Sequence, residues 1–369
     1  MESSAIGIIG WAGWALTAAY TLIQLYFLYR ALTEKEADHP PPSELPFVSV
    51  LVPARNEAHT IERCLRCLEK LDYPPDRLEI LIGDDHSTDD TARRVAAFIR
   101  GRPQFRLIRV GPPLGQARAK ANALVYLIRA ARGEFYFITD ADGCVPPSWI
   151  KALLGPFADP SVGAVSGVTL PAARRLPQQW QSLEWLYFLS LLRFLPPSDV
   201  TALGNNMAVR KTAYDSTGGY ERIPFSVTED LALYHALRRR GWHHRYVFHP
   251  KALVWTLPVP FGVLIQQRFR WLQGVKRLPL RVRALFAVKA LFPFGMAAAA
   301  AFQPATAAAC WLVNYGLQAA YISRMARRLG VRYSWAGRLS FEFYQYVVNA
   351  LMGLLFFRPG RVRWKGRRW

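Results

Sequence analysis

From Ala5 to Tyr29 the chain carries no charged residue, a run longer than the ~20 residues a helix needs to cross the hydrocarbon core of a bilayer. Glu2 stands where a cleavable signal would be basic, and no small-residue cleavage site is evident, so the run is expected to be a retained anchor. Arg30 and Lys35 after it place the following chain on the cytoplasmic side. Two further apolar runs, Ala284 to Phe302 and Ala305 to Ile322, are separated by Gln303-Pro304. Arg281 and Arg283 precede them, and Arg324, Arg327, Arg328 and Arg332 follow, which reads as a hairpin with both ends cytoplasmic. Leu339 to Phe357, with Glu342 near its start, reads as a third span or as a re-entrant or interfacial segment. The expectation is a multi-pass membrane protein whose central domain lies on the cytoplasmic face.

The 369 residues are 51% hydrophobic, yet mean hydropathy is only +0.05, which leaves room for a sizeable soluble domain. A net charge of +21 points to an anionic partner. The basic residues cluster beside apolar segments rather than among exposed aromatics, which favours a membrane surface or a phosphorylated substrate and argues against nucleic acid. The four cysteines suggest no disulfide framework. Cys64 and Cys67 read as small apolar side chains one helical turn apart, and neither Cys144 nor Cys310 looks catalytic.

The expected organisation is an anchor over 1–32, a stiff linker over 33–45 containing Pro40-Pro41-Pro42, and an α/β domain over 46–257. Amphipathic interface helices follow over 258–283, then a membrane region over 284–357 and a basic tail over 358–369. Strands are expected at Val48 to Val52, Leu78 to Ile82, Phe105 to Val110 and Phe135 to Thr139. Between them, Asn56 is expected to cap a helix from Glu57 to Lys70, and Ser87 and Thr88 to cap the next. A third helix, from about Gln116, is expected to end at a left-handed Gly133. The alternation predicts a Rossmann-like, mostly parallel sheet, which binds ligands at the carboxyl ends of its strands. No Gly-x-Gly-x-x-Gly follows the first strand, so the dinucleotide oxidoreductases lose their main support.

Several motifs fall at those strand ends. Asp140-Ala141-Asp142 sets two carboxylates at i and i+2, where an extended chain turns both to one side. With diphosphate and water oxygens they would hold Mg²⁺ or Mn²⁺. Asp84-Asp85 ends a neighbouring strand and is expected to accept hydrogen bonds from a nucleotide, Asp85 being preferred. Pro53, Asn56 and Glu57, with Asp140, are assigned to the same nucleotide-sugar site. Lys120 reads either as a phosphate ligand or as a solvated helix lysine. Glu229-Asp230, after Thr228, begins a helix running to about Arg240; Asp230 is the expected base, oriented by Glu229 and Thr228. In Gln267-x-x-Arg270-Trp271, on an amphipathic helix, the guanidinium suits diphosphate oxygens and the indole offers an apolar face to an acceptor. His243, His244 and His249 read as structural. The apolar stretch Leu183 to Leu195 reads either as core or, the favoured expectation, as a segment that dips into the membrane interface and admits a lipid.

With these motifs in this order, the chain from about Pro46 to Pro279 resembles the inverting family-two glycosyltransferases of GT-A fold. The resemblance implies that Asp140 and Asp142 bind the metal, Asp85 contacts the nucleotide and Asp230 is the base. It also implies that Gln267, Arg270 and Trp271 serve the acceptor and the diphosphate, and that transfer inverts the anomeric centre. Gln181 to Tyr187, Gly218-Gly219-Tyr220 and the tail from Arg358 to Arg367 resemble the ceramide glucosyltransferase-like branch, whose acceptor is a lipid. Gln267 to Trp271, with Arg268, resembles the processive polysaccharide synthases. Few spans are present to build a polymer channel, so a single transfer from a UDP-sugar to a lipid is the favoured expectation. An inactive membrane-anchored sensor or scaffold is the non-enzymatic alternative; intact Asp140, Asp142, Asp230 and Arg270 argue against it.

Overall fold

The computed structural model describes residues 2–34, 39–195, 203–275, 278–356, 363–364 and 367–368. Lys35 and most of the basic tail lie outside them. The strands, in chain order, are β1 (Val48–Ala54), β2 (Leu78–Asp84), β3 (Phe105–Arg109), β4 (Phe135–Thr139), β5 (Val162–Gly167), β6 (Thr169–Pro171), β7 (Asn206–Arg210), β8 (His243–Val247) and β9 (Val254–Thr256). The helices are α1 (Glu2–Thr33), α2 (Ile61–Leu68), α3 (Thr91–Phe98), α4 (Ala119–Ala130), α5 (Trp149–Leu154), α6 (Leu176–Leu192), α7 (Lys211–Ser216), α8 (Gly219–Arg222), α9 (Glu229–Arg239), α10 (Phe261–Val275), α11 (Leu280–Ala300), α12 (Pro304–Arg328) and α13 (Trp335–Phe356). They fall into two compact units. An α/β unit contains residues 39–172, 203–259, 363–364 and 367–368, and a helical unit contains 2–34, 173–195 and 260–356.

In the α/β unit the main sheet has the order β3-β2-β1-β4-β7-β5-β8. The first four strands are parallel, β7 runs antiparallel between β4 and β5, and β8 is parallel to β5. The apolar runs are continuous because both faces of the sheet are covered. Val50 and Val52 of β1 pack in one core with Ile61, Leu65 and Trp149, while Leu51 packs in the other with Leu124, Leu127 and Leu233. Val48 pairs with both Leu78 and Phe135, so the carboxyl ends of β1, β2 and β4 finish side by side.

Four local expectations are corrected. The helix after β1 starts at Ile61, because residues 57–60 form a turn that binds the loop before α3: Glu57 N donates to Thr91 Oγ1 at 2.7 Å and Ala58 N to Asp89 Oδ2 at 3.0 Å. Asn56 therefore caps no helix; its Oδ1 accepts from Thr88 N at 2.8 Å. Helix α3 starts at Thr91, whose N–H goes to Asp89 Oδ1 at 3.0 Å, so Ser87 and Thr88 are not its caps. Gly133 is not left-handed; it is required by close approach, since a Cβ there would sit 2.5 Å from Ser49 N.

The fourth correction concerns sulfur. Cys67 of α2 and Cys144 are joined by a disulfide across a sequence separation of 77. Small apolar packing was the wrong reading for Cys67, because the fold brings α2 against the turn that follows β4. Cys64 stays a buried thiol.

In the helical unit, α1 and α11 meet at glycines: a Cβ on Gly13 would lie 2.7 Å from the Gly295 carbonyl oxygen. Small residues let two backbones approach in this way. Polar side chains link α1 to α12. Gln24 Nε2 donates to Tyr20 Oη, Tyr20 Oη to Gln318 Oε1, and Asn314 Nδ2 to Thr21 Oγ1. Helix α6 is held by Tyr321 Oη donating to Ser190 Oγ at 2.9 Å and Tyr344 Oη donating to Glu184 Oε2 at 2.9 Å. Among the described residues one helix, Leu280–Ala300, is long and apolar enough to cross a membrane by length and composition.

Candidate active site

The site in the α/β unit grows from three strand ends and one helix start. Where β4 stops, residues 140–143 close a turn, with Gly143 N donating to Asp140 O at 2.9 Å. The two carboxylates of Asp140-Ala141-Asp142 therefore stand on a turn rather than on the extended chain expected. Asp142 Oδ2 accepts from Thr256 Oγ1 at 2.8 Å. From α2, Arg63 donates to Asp142 O and Trp255 O, both at 3.1 Å, and the Cys144 and Trp255 backbones bond each other in both directions. The turn is thus clamped by α2, by β9 and by the disulfide.

Lys120 is the hub. Its Nζ lies 2.7 Å from Asp140 Oδ1 and 3.0 Å from Glu229 Oε1, and it donates to Gly204 O at 3.1 Å. This settles its alternatives against the solvated helix lysine. Burial pulls the ammonium's pKa down, but the Asp140, Glu229 and Asp230 carboxylates outweigh it and raise it.

Asp230 sits in the first turn of α9. Its Oδ1 accepts from Leu231 N at 2.8 Å and its Oδ2 from Gly204 N at 2.9 Å. Burial and the neighbouring Glu229 carboxylate push its pKa up to about 6, against the opposing pull of Lys120 and the two N–H groups. A carboxylate so tuned can take a proton near neutral pH. Thr228 contacts Ser226 rather than Asp230. Gly204, which the sequence reading missed, does the orienting: its N–H holds Asp230 and its C=O holds Lys120. A Cβ there would lie 2.8 Å from Asp230 Cβ, so the position admits no side chain without displacement. No local sequence signal marks it, since it acts through its backbone.

Beside this cluster, the ends of β1 and β2 carry Pro53, Asn56, Glu57, Asp84 and Asp85. Asp85 is buried at 7% exposure, with its N–H on Ala54 O and His86 Nδ1 3.4 Å from its Oδ1. Asp84 Oδ1 accepts from Ser87 N at 3.3 Å. Arg55 Nη1 donates to Asp85 O at 2.6 Å. Asn56, His86 and Ala119 have φ of 53°, 56° and 50°, in the left-handed region that non-glycine residues rarely adopt. Strain of this kind gathers at binding loops, and all three positions border the site.

The histidines are structural. His244 Nε2 lies 3.0 Å from Ser166 Oγ, and burial pushes its pKa down to about 3. No group of three or more His, Cys, Asp or Glu among the described residues could hold a metal on protein ligands alone. Two hard carboxylates on one turn nevertheless fit Mg²⁺ or Mn²⁺, which draw their remaining ligands from phosphate and water oxygens.

Gln267, Arg270 and Trp271 lie on α10 of the helical unit. Arg268, given no role in the sequence reading, organises that stretch. It meets Glu184 of α6 with Nε at 2.9 Å and Nη2 at 2.7 Å, donates Nη1 to Gln267 Oε1 at 2.8 Å, and stacks its guanidinium 4.3 Å from the Trp271 ring. Trp185 meets Trp271 edge-on at 5.1 Å.

The profile described as "Glycosyl transferase family 2" matches residues 49–218, and "Glycosyl transferase family group 2" matches residues 137–357. A probable glycosyltransferase of Bacillus subtilis is 31% identical over 66% of this chain and 58% of its own. A beta-monoglucosyldiacylglycerol synthase of Synechocystis sp. is 30% identical over 72% of this chain and 56% of its own. A poly-beta-1,6-N-acetyl-D-glucosamine synthase of Staphylococcus aureus is 30% identical over 64% of this chain and 57% of its own. The chain thus spans little more than half the length of these relatives. Among solved structures, a mannosyltransferase of Pyrobaculum calidifontis, in complex with GDP-Man and Mn²⁺, has the same fold. Its TM-score is 0.59 at 22% identity, covering 95% of this chain and 97% of the other. The chain belongs to glycosyltransferase family 2.

Proposed function

We propose that the chain transfers one sugar from a nucleotide diphosphate donor, a UDP-sugar in preference, to a hydroxyl of a membrane lipid, with inversion. The observation that carries this reading is Asp230, whose two oxygens are fixed by backbone N–H groups and whose pKa is raised to about 6. The acceptor hydroxyl gives its proton to Asp230 as its oxygen bonds the anomeric carbon and the bond to the diphosphate oxygen breaks. Pro53, Asn56, Glu57, Asp84 and Asp85 bind the nucleotide end of the donor. Lys120 neutralises charge where the diphosphate leaves, and Glu229 positions Lys120. Asp140 and Asp142 would hold Mg²⁺ or Mn²⁺, which when bound supplies further charge neutralisation at the diphosphate. Gln267, Arg270 and Trp271 are assigned to the acceptor and diphosphate on sequence resemblance.

The lipid acceptor is supported by similarity to the monoglucosyldiacylglycerol synthase and by the apolar helices. A multi-pass topology with α1 as anchor, α11 and α12 as hairpin and the α/β unit in the cytoplasm is part of the proposal, carried by the flanking arginines. A processive synthase is the second reading, favoured by similarity to the N-acetylglucosamine polymerising relative.

The test is product mass. Purified protein receives Mg²⁺ or Mn²⁺, a panel of nucleotide sugars and a membrane lipid extract, with Asp230→Asn as control. A lipid gaining one sugar is expected, with activity lowered about 10²–10⁴-fold in the variant. Nucleotide binding is expected to be retained. A ladder of oligomers would establish the synthase, and undiminished turnover by Asp230→Asn would remove the assigned base.

A further inference from the structure

Tyr220 is buried at 2% exposure, and among the described residues its hydroxyl has no hydrogen-bond partner. An orphaned buried hydroxyl is costly, and a folded protein retains one where something else completes it. The ring is fixed by its surroundings: Tyr220 N accepts its place by donating to Tyr214 Oη at 3.0 Å, and the two rings pack edge to face at 5.8 Å. Tyr220 lines a small cleft with Gln116, Phe225, Ser226, Glu229 and Ala232. The cleft admits about one water-sized group.

We propose that this cleft receives a single hydroxyl group of the donor's sugar, held between Tyr220 and Glu229. The inference rests on the glycosyltransferase reading above and adds a specificity residue to it. A C–O–H group suits the two walls, because it can donate to the Glu229 carboxylate and accept from the Tyr220 hydroxyl. An ammonium could not accept, and an N-acetyl group is too large for a water-sized space. The donor, rather than the acceptor, is indicated by the chain itself. The cleft is walled by Gln116, Ala117 and Ala121, the segment that carries Lys120, and Glu229 touches Lys120 directly. Ile223 and Pro224 give it an apolar rim suited to the C–H faces of a sugar ring.

Calorimetric binding and steady-state transfer by the full-length protein test this, with wild type compared against Tyr220→Phe. The probes are UDP-glucose and GDP-mannose, their monodeoxy analogues, and UDP and GDP alone. Tyr220→Phe removes only an oxygen with no hydrogen-bond partner among the described residues, so unchanged thermal unfolding is expected to confirm that it folds. For the donor that binds, the wild type is expected to disfavour one monodeoxy analogue by about tenfold or more, and Tyr220→Phe to lose that discrimination. Binding of the bare nucleotide is expected to stay unchanged. Ala232→Val, which fills the same space, is expected to weaken the sugar-bearing donor without weakening the nucleotide. Equal behaviour of wild type and Tyr220→Phe across the deoxy series overturns the proposal while leaving the glycosyltransferase reading intact. Sugar-dependent binding that shows the Tyr220 effect without transfer to any acceptor would instead uphold the cleft and overturn the proposed function.

Discussion

One peptide unit, that of Gly204, sets the geometry of the two groups with most at stake in the proposed reaction. Its N–H holds Asp230, the proposed base, and its C=O holds Lys120. Gly204→Ala is expected to push Asp230 from its place and lower kcat/KM by about 10²-fold, because a displacement near 1 Å has that effect on a positioned group. Steady-state kinetics with circular dichroism to verify folding checks it. The raised pKa of Asp230 has a definite sign. The base works when ionised, so kcat/KM is expected to hold above pH about 6 and to fall about tenfold per unit below it. A profile that stays flat down to pH 4.5 would contradict the environment described for Asp230. Asp140, Glu229 and Asp230 were legible in the sequence because each sits at a strand end or helix start, positions that local patterning fixes. Gly204 was not, because a backbone contact leaves no mark in residue type.

At the scale of elements, α2 and the turn after β4 behave as one piece. Arg63 supplies two hydrogen bonds and Cys67–Cys144 a covalent link between them. The pairing was hidden from the sequence since it joins residues 77 apart, and only the parallel sheet brings them together. Its expected effect is on stability: replacing both cysteines by serine should lower folding free energy by about 2–4 kcal/mol. Denaturant unfolding of the oxidised wild type, the reduced wild type and the double variant checks this, the last two being expected to coincide. Disulfides persist mainly in oxidising compartments or in the cytosol of hyperthermophiles. The bond and the proposed cytoplasmic placement are therefore compatible in an organism of the second kind. On α10 the same lesson holds for Arg268. Its carboxylate partner lies on α6, so the motif's spacing showed which residues stand on one helix but not what holds them.

For the whole molecule, the two units alternate along the chain. The helical unit takes residues 2–34, 173–195 and 260–356, so that its middle piece interrupts the α/β unit in sequence. Sequence patterning located a soluble domain over 46–257, but α6, inside that range, groups with the helices. Its apolar length reads equally as core, and its partners Tyr321 and Tyr344 come from much later in the chain. A fragment of residues 39–259 is expected to aggregate because it carries α6 without those partners. Size-exclusion chromatography against the same fragment with 173–195 replaced by a polar linker checks this, the second being expected to elute as a monomer.

The interleaving also imposes an order on synthesis. Strand β7, which lies between β4 and β5, leaves the ribosome only after α6, and α6 must then wait for α12 and α13 to emerge. During that interval the nascent chain holds a nearly finished sheet interrupted by an unsheltered apolar helix, the kind of exposed surface that recruits chaperones. The placing of α6 ahead of that antiparallel strand therefore makes the last third of the chain, which carries none of the strand-end acids, a requirement for delivering the α/β unit safely.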